Sequence, residues 1–214
     1  MESKLFKSGE NHGNAVLNFN YHASDEFDFY AQAFHSSAVK LVENMSSPHG
    51  FNDLDACPII FLYRHSLELY LKAIGYIGQT ILSLSATSQE ITEKSLLGHK
   101  LIGFYPILRK VFSQVGWEWD LDTDGMRSFE DLEELLKDFD SIDEGSYTFR
   151  YPLDTKGEDS VSHHFVVNIP HFYNRMDQLL SRLDSACIEL RKVRYSMLEN
   201  ARNEYEHSNS DTEG

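Results

Sequence analysis

Residues 59–77 read IIFLYRHSLELYLKAIGYI. Apolar side chains fall on nearly every side of this stretch at 3.6 residues per turn, the pattern of a helix buried in the middle of a bundle. At 100° per residue from Arg64, Glu68 falls near 40°, Lys72 near 80° and His65 near 100°, so the four polar residues share one arc of about 100°. Unpaired charge on such a helix is expensive and must be compensated. Glu68 and Lys72 form an i, i+4 pair in the favourable order, and Arg64 reaches Glu68 from the turn before. Two readings follow. The stripe is a self-satisfied ion-pair network at a helix or subunit interface, or it lines a pocket in which Arg64 binds an anion and His65 titrates near neutrality.

Working outward, Ser24 is an expected N-cap for an amphipathic helix whose apolar residues Phe27, Tyr30, Ala31, Phe34, Ala38, Leu41, Val42 and Met45 step by three or four. Asp55 is an expected cap for the buried helix, with Pro58 in its first turn. Thr87 and Glu90 suggest a capping box for a short turn. A helical pattern from Lys100 to Val115 contains Pro106, which predicts a kink. Ser128 caps a helix through Phe129, Leu132, Leu135, Leu136, Phe139 and Ile142. A short strand is expected at Phe165 to Ile169, and Pro170 opens a long helix reaching about Met197. Five main helices with apolar stripes predict an all-α bundle. The organisation read from this pattern is an N-terminal arm at 1–23, one domain at 24–200 and a charged tail at 201–214.

The chain has 214 residues, 41% hydrophobic and 25% charged, which excludes a disordered or low-complexity class. Its net charge of −15 is concentrated. Residues 118–144 carry twelve acidic and two basic side chains. Such a face repels duplex DNA, which is bound by neutralising its phosphates. The one basic cluster, Arg191, Lys192 and Arg194, reads as a solvated helical face. Cys57 and Cys187 form neither a CxxC motif nor a disulfide framework, which points to a reducing, cytoplasmic setting. The longest apolar stretch, Pro58 to Tyr63, is too short for a membrane span.

FLYRHSLELYLKAI at 61–74, GHKL at 98–101, DSIDEGSYTFRYPLDTKG at 140–157 and NI at 168–169 occur in this order in a set of bacterial proteins of similar length. These resemble the HEPN superfamily, helical bundles that often dimerise and include RNases of toxin and phage-defence systems beside non-catalytic relatives. The resemblance covers residues 25 to 190. It implies a HEPN-like bundle and a homodimer. It also leaves two functions open: a non-catalytic interaction module with a protein partner, or an RNase with Arg64, His65 and Glu68 as its polar centre and Arg150 in support. The superfamily's nuclease signature, an Arg, then four to six residues, then a His, with a polar residue usually after the Arg, is matched by Arg202, Asn203 and His207. About one such spacing is expected by chance from the Arg and His content.

Tyr151 precedes Pro152, so Phe149 to Pro152 is expected to be stiff and non-helical. Phe149 and Tyr151 are expected to insert into the bundle while Arg150 pairs with Asp140, Asp143 or Glu68. Residues 120–131, DLDTDGMRSFED, carry the spacing of a calcium loop through Asp120, Asp122, Asp124 and Asp131. Arg127 at the normally apolar eighth position and Asp131 in place of Glu at the twelfth favour an acidic linker leading into the Ser128 cap. His163, His164 and His171 do not assemble a metal site by spacing, and no HExxH, GxSxG, Walker or GxGxxG motif occurs. No metal or cofactor is expected.

Overall fold

The computed structural model describes residues 15, 25–45, 52–85, 91–120, 126–143, 145–154, 156–160 and 165–210. The helices are α1 (Phe27–Asn44), α2 (Ala56–Leu84), α3 (Glu93–Leu96), α4 (Tyr105–Gln114), α5 (Phe129–Asp143) and α6 (Ile169–Ser210). The described residues hold no strand, only an isolated bridge between Leu153 and Asp159. The all-α expectation is met, with the one-turn α3 beside the five main helices.

The stretch 59–77 lies within α2, and α2 is the axis of the bundle. It packs against α1, α4 and α6, and buries apolar residues on every side from Ile59 to Leu82. Each fully buried Leu or Ile contributes about 1.5–3 kcal/mol. Ala31 and Ala38 are fully buried and let α1 approach closely, and the Ser66 hydroxyl donates to the Ala31 carbonyl at 2.8 Å. Tyrosines of α2 reach carboxylates of α6: Tyr63 donates to Asp177 at 2.7 Å and Tyr70 to Asp184 at 3.1 Å. Burial and these carboxylates push both phenols well above their ordinary range. On α6, Arg191 binds the buried Asp28, Arg194 binds Asp25 at 2.6 Å and Lys192 binds Glu189 at 2.6 Å. The basic cluster is therefore taken up by carboxylates.

Several local expectations are corrected. Pro106 does not kink a helix. It sits in the first turn of α4, after a 3-10 turn at Leu101–Phe104, where its missing N–H costs nothing. Asp55 does not cap α2. Its carboxylate accepts from the Asn52 N–H while the Asn52 side chain accepts from Leu54, a reciprocal cap on the preceding 3-10 turn. Tyr30 and Leu41 are exposed rather than packed. Residues 165–168 are coil, not strand, and Asn168 accepts from the His171 N–H at 2.9 Å to cap α6. That helix continues to Ser210, well past Met197. The expected caps at Ser24 and Thr87 with Glu90, and nearly all of the arm at 1–23, fall outside the described residues.

Gly75 and Gly78 set the spacing of α2 against its neighbours. A Cβ on Gly78 would lie 2.2, 3.0 and 3.2 Å from three atoms of Val111 on α4. One on Gly75 would meet Leu96 Cδ2 at 2.4 Å, the far end of a flexible side chain. Alanine improves helix propensity by about 1 kcal/mol, but overpacking costs about 1–3 kcal/mol. Gly78→Ala is expected to be destabilising and Gly75→Ala nearly neutral in urea unfolding, with Val111→Ala restoring part of the loss in the Gly78→Ala background.

Candidate functional site

The polar stripe is a closed network around Arg64. The side chain is 0% exposed and projects from α2 towards the loop before the 3-10 turn and the end of α5. Arg64 Nη1 donates to Glu68 Oε2 at 2.9 Å, and Nη2 donates to the carbonyls of His99 at 2.8 Å and Asp143 at 3.2 Å. Its Nε lies 3.3 Å from Asp143 Oδ2, an ionic contact without hydrogen-bond alignment. Asp143 is the last residue of α5, so the guanidinium meets a helix C-terminus whose carbonyls lack intrahelical partners.

Glu68 completes the set. Its Oε1 accepts from Lys72 Nζ at 2.8 Å and meets His99 Nδ1 at 2.9 Å. Burial pushes the Glu68 carboxyl upward, but Lys72, then Arg64 and His99, outweigh it and hold its pKa below the ordinary value. Two cations and two carboxylates thus balance within the core.

The carboxylates of α5 also organise backbone. Asp140 accepts from Leu101 N and Ile102 N, both at 2.8 Å, which caps the 3-10 turn. Asp143 Oδ1 accepts from Tyr147 N at 2.6 Å and Thr148 N at 3.0 Å, fixing the chain after Ser146, whose φ of 62° is unusual for a residue with a side chain. The segments RHSLEL, GHKL and DSIDEGSYT, far apart in sequence, therefore meet at one guanidinium.

His65 and Arg150 stand apart from this network. The His65 ring packs edge-on against Phe34 at 4.5 Å and stacks on Phe61 at 5.6 Å. Desolvation, followed by the charges of Arg64, Lys72 and Arg150 against an opposing pull from Glu68, lowers its pKa below the ordinary 6.5. Arg150 lies over the Phe61 ring at 5.3 Å, near Tyr147 and Tyr151, and its Nε donates to the Ser146 carbonyl at 2.5 Å.

The expected pairing of Arg150 with Asp140, Asp143 or Glu68 is thus corrected. Those oxygens are taken by Arg64, Lys72, His99 and backbone N–H groups, and Arg150 is exposed over aromatic faces. Phe149 is buried as expected, whereas Tyr151 is 54% exposed. Arg202 Nε donates to Glu206 at 2.9 Å on the exposed end of α6, and His207 lies about 140° away around the helix, so the two do not converge within one chain. In the calcium-like stretch, Asp122 and Asp124 fall outside the described residues. Asp131 Oδ2 accepts from Arg127 N at 2.8 Å and Ser128 N at 3.0 Å while Ser128 Oγ accepts from Asp131 N at 3.1 Å, a capping box that starts α5. The described residues hold no cluster of three metal-ligating side chains, and His163 and His164 lie outside them. No helix among them is long and apolar enough to cross a membrane.

His99, which the sequence offers beside His65 as a histidine to pair with Arg64 or Arg150, joins Glu68 through a loop of no recognisable period, a contact that spacing does not indicate. A cavity of about 300 Å³ opens between α5 and the start of α6, lined mainly by apolar residues such as Ile60, Phe139, Phe149 and Met176 contributed by four segments. Compared with protein families, with curated proteins and with solved structures, the chain matches none.

Removing Glu68 strands Lys72 and takes from Arg64 one of its two carboxylates. Glu68→Ala is expected to cost about 3–5 kcal/mol in urea unfolding, against about 1–2 kcal/mol for Arg150→Ala, which loses exposed cation–π contacts and one hydrogen bond to the Ser146 carbonyl. His65 gives a separate pH signature. Its folded pKa is depressed, so its contribution to stability is fully present above the unfolded value of 6.5 and is lost as pH falls through the folded value. Unfolding free energy should decline below pH 6.5, and His65→Phe should flatten that decline; an unchanged slope would contradict the assignment.

Proposed function

We propose that this protein is a non-catalytic, HEPN-like interaction module that pairs with a second copy of itself and works in a toxin or phage-defence setting. The observation that carries the reading is the burial of Arg64. A guanidinium that stabilises phosphoryl charge must reach substrate, whereas this one is fully enclosed and spends its donors on Glu68, His99 and Asp143. His65 is held between two phenylalanines with its neutral form favoured. The basic cluster on α6 is neutralised by Asp25, Asp28 and Glu189, which weakens any general attraction for nucleic acid.

The alternative reading, an RNase, rests on one specific observation. His99 has a side chain 60% exposed with its Nδ1 oriented by the buried Glu68, the arrangement in which a carboxylate positions a general acid or base. In that reading His99, rather than His65, carries proton transfer beside the exposed Arg150.

One experiment separates the two: an RNA cleavage assay on the wild type, His65→Ala, His99→Ala and Glu68→Ala, with thermal melting of each. The interaction module predicts no cleavage by any of the four and a large melting loss confined to Glu68→Ala. Cleavage by the wild type that drops about 10² in His99→Ala with melting retained would overturn it.

A further inference from the structure

The C-terminal part of α6 leaves the bundle. Residues 198–207 are all exposed, nearly three turns of helix with no buried face. As a continuation of α6 this stretch needs no new nucleus, but it gains no burial within the chain. Its surface is not uniformly polar either. Ile188, Tyr195, Leu198 and Tyr205 are between 45 and 70% exposed and occupy one arc of about 100°. Arg191 falls in the same arc but bends to Asp28, and its guanidinium lies 5.4 Å over the ring of Phe29, itself 62% exposed, which continues the apolar strip.

The spacing identifies the occupant. From Ile188 the stripe advances by seven, three and seven residues, a sequence of steps that reads the same from either end. Such a stripe is complementary to itself when two copies run antiparallel. A two-fold axis between residues 196 and 197 sets Ile188 opposite Tyr205 and Tyr195 opposite Leu198, the alternating layers of an antiparallel coiled coil. Arg202 also falls in this arc and stands opposite Arg191 about the same axis, and each is held by a carboxylate of its own chain, Glu206 and Asp28. The charges on the edge of the stripe agree with the antiparallel direction. Lys192 and Glu199 lie on the same edge of the stripe, and an antiparallel pair brings that edge against its own copy, so each Lys192 meets the other chain's Glu199. Lys192 now holds only an exposed pair with Glu189, and Glu199 has no partner among the described residues.

We infer that the stripe Ile188–Tyr195–Leu198–Tyr205 on α6 is the surface through which two copies of this chain associate, antiparallel, with Lys192 and Glu199 as its reciprocal ion pairs. The inference rests on the reading of the protein as a self-pairing module and names the interface that would do it.

Sedimentation equilibrium of the full chain over about 1–100 µM is the test, since weak to moderate self-association falls in that range. The wild type is expected at twice the 24.7 kDa chain mass, and Tyr195→Glu with Leu198→Glu at the single-chain mass with an unchanged circular dichroism spectrum. Lys192→Glu and Glu199→Lys should each weaken the dimer roughly tenfold, because each reverses two symmetric ion pairs, and the double variant should recover most of the loss. Direction is read by oxidative cross-linking: a mixture of Tyr195→Cys and Leu198→Cys proteins should form the mixed disulfide in preference to either homodimer, over the background of Cys57 and Cys187. A wild type that is monomeric throughout, or preferred Tyr195→Cys self-linking, overturns the inference. A dimer indifferent to the glutamate variants overturns this surface while leaving the interaction-module reading in place, and RNA cleavage by the wild type would sink that reading without touching the dimer.

Discussion

The buried guanidinium of Arg64 is the constraint from which the rest of the structure follows. Removing an ionised side chain from water costs several kcal/mol even after relaxation, and the penalty is offset only when donors and charge are met with good geometry. On the central helix no single neighbour can meet it. Glu68 supplies charge from the turn below, the loop before the 3-10 turn supplies a carbonyl, and the end of α5 supplies a carbonyl and a carboxylate. Each contribution fixes where a segment sits against α2, beside the apolar contacts of Leu132 and Leu136 on α5 and of Leu101 and Phe104 on the 3-10 turn. Asp140 and Asp143 extend the same device to the backbone on either side. Apolar burial around α2 provides most of the stabilisation, and the polar centre sets which arrangement of α5 and the loops is allowed.

This arrangement also determines what reaches the surface. Because Glu68 and Asp143 are committed inward, Arg150 is left over aromatic rings and His99 presents its outer edge to solvent. Because Asp25 and Asp28 take Arg194 and Arg191, the basic cluster of α6 carries little free positive charge. The acidity of residues 118–144 adds to the repulsion of polyanions. What α6 leaves exposed on one side is the stripe of Ile188, Tyr195, Leu198 and Tyr205.

The sequence made the architecture readable because the helices obey a 3.6-residue period and α2 departs from amphipathicity in a way only a central helix does. Glu68 and Lys72 were legible for the same reason, being one turn apart on that helix. Asp143 was visible as a carboxylate in need of a cation, but the nearest arginine in sequence, Arg150, is not the one it holds. That choice is tertiary: the end of α5 lies against α2, and no spacing rule encodes it. The contact of His99 with Glu68 is hidden likewise, because His99 sits in a loop with no period. The helical stretch 201–210 reads as part of a charged tail because residues 201–207 are all exposed and carry no apolar period facing the bundle, and the strand expected near Phe165 gives way to the α6 cap at Asn168.

A double-mutant cycle between Arg64 and Asp143 measures the central interaction most directly. Urea unfolding of Arg64→Met, Asp143→Ala and the double variant should show strong coupling: the double variant should be less destabilised than the two single losses combined by about 1.5 kcal/mol or more, since each single change strands the other charge. Additivity within about 0.5 kcal/mol would mean that the two residues act independently, and that α5 is held to α2 by something other than this buried pair.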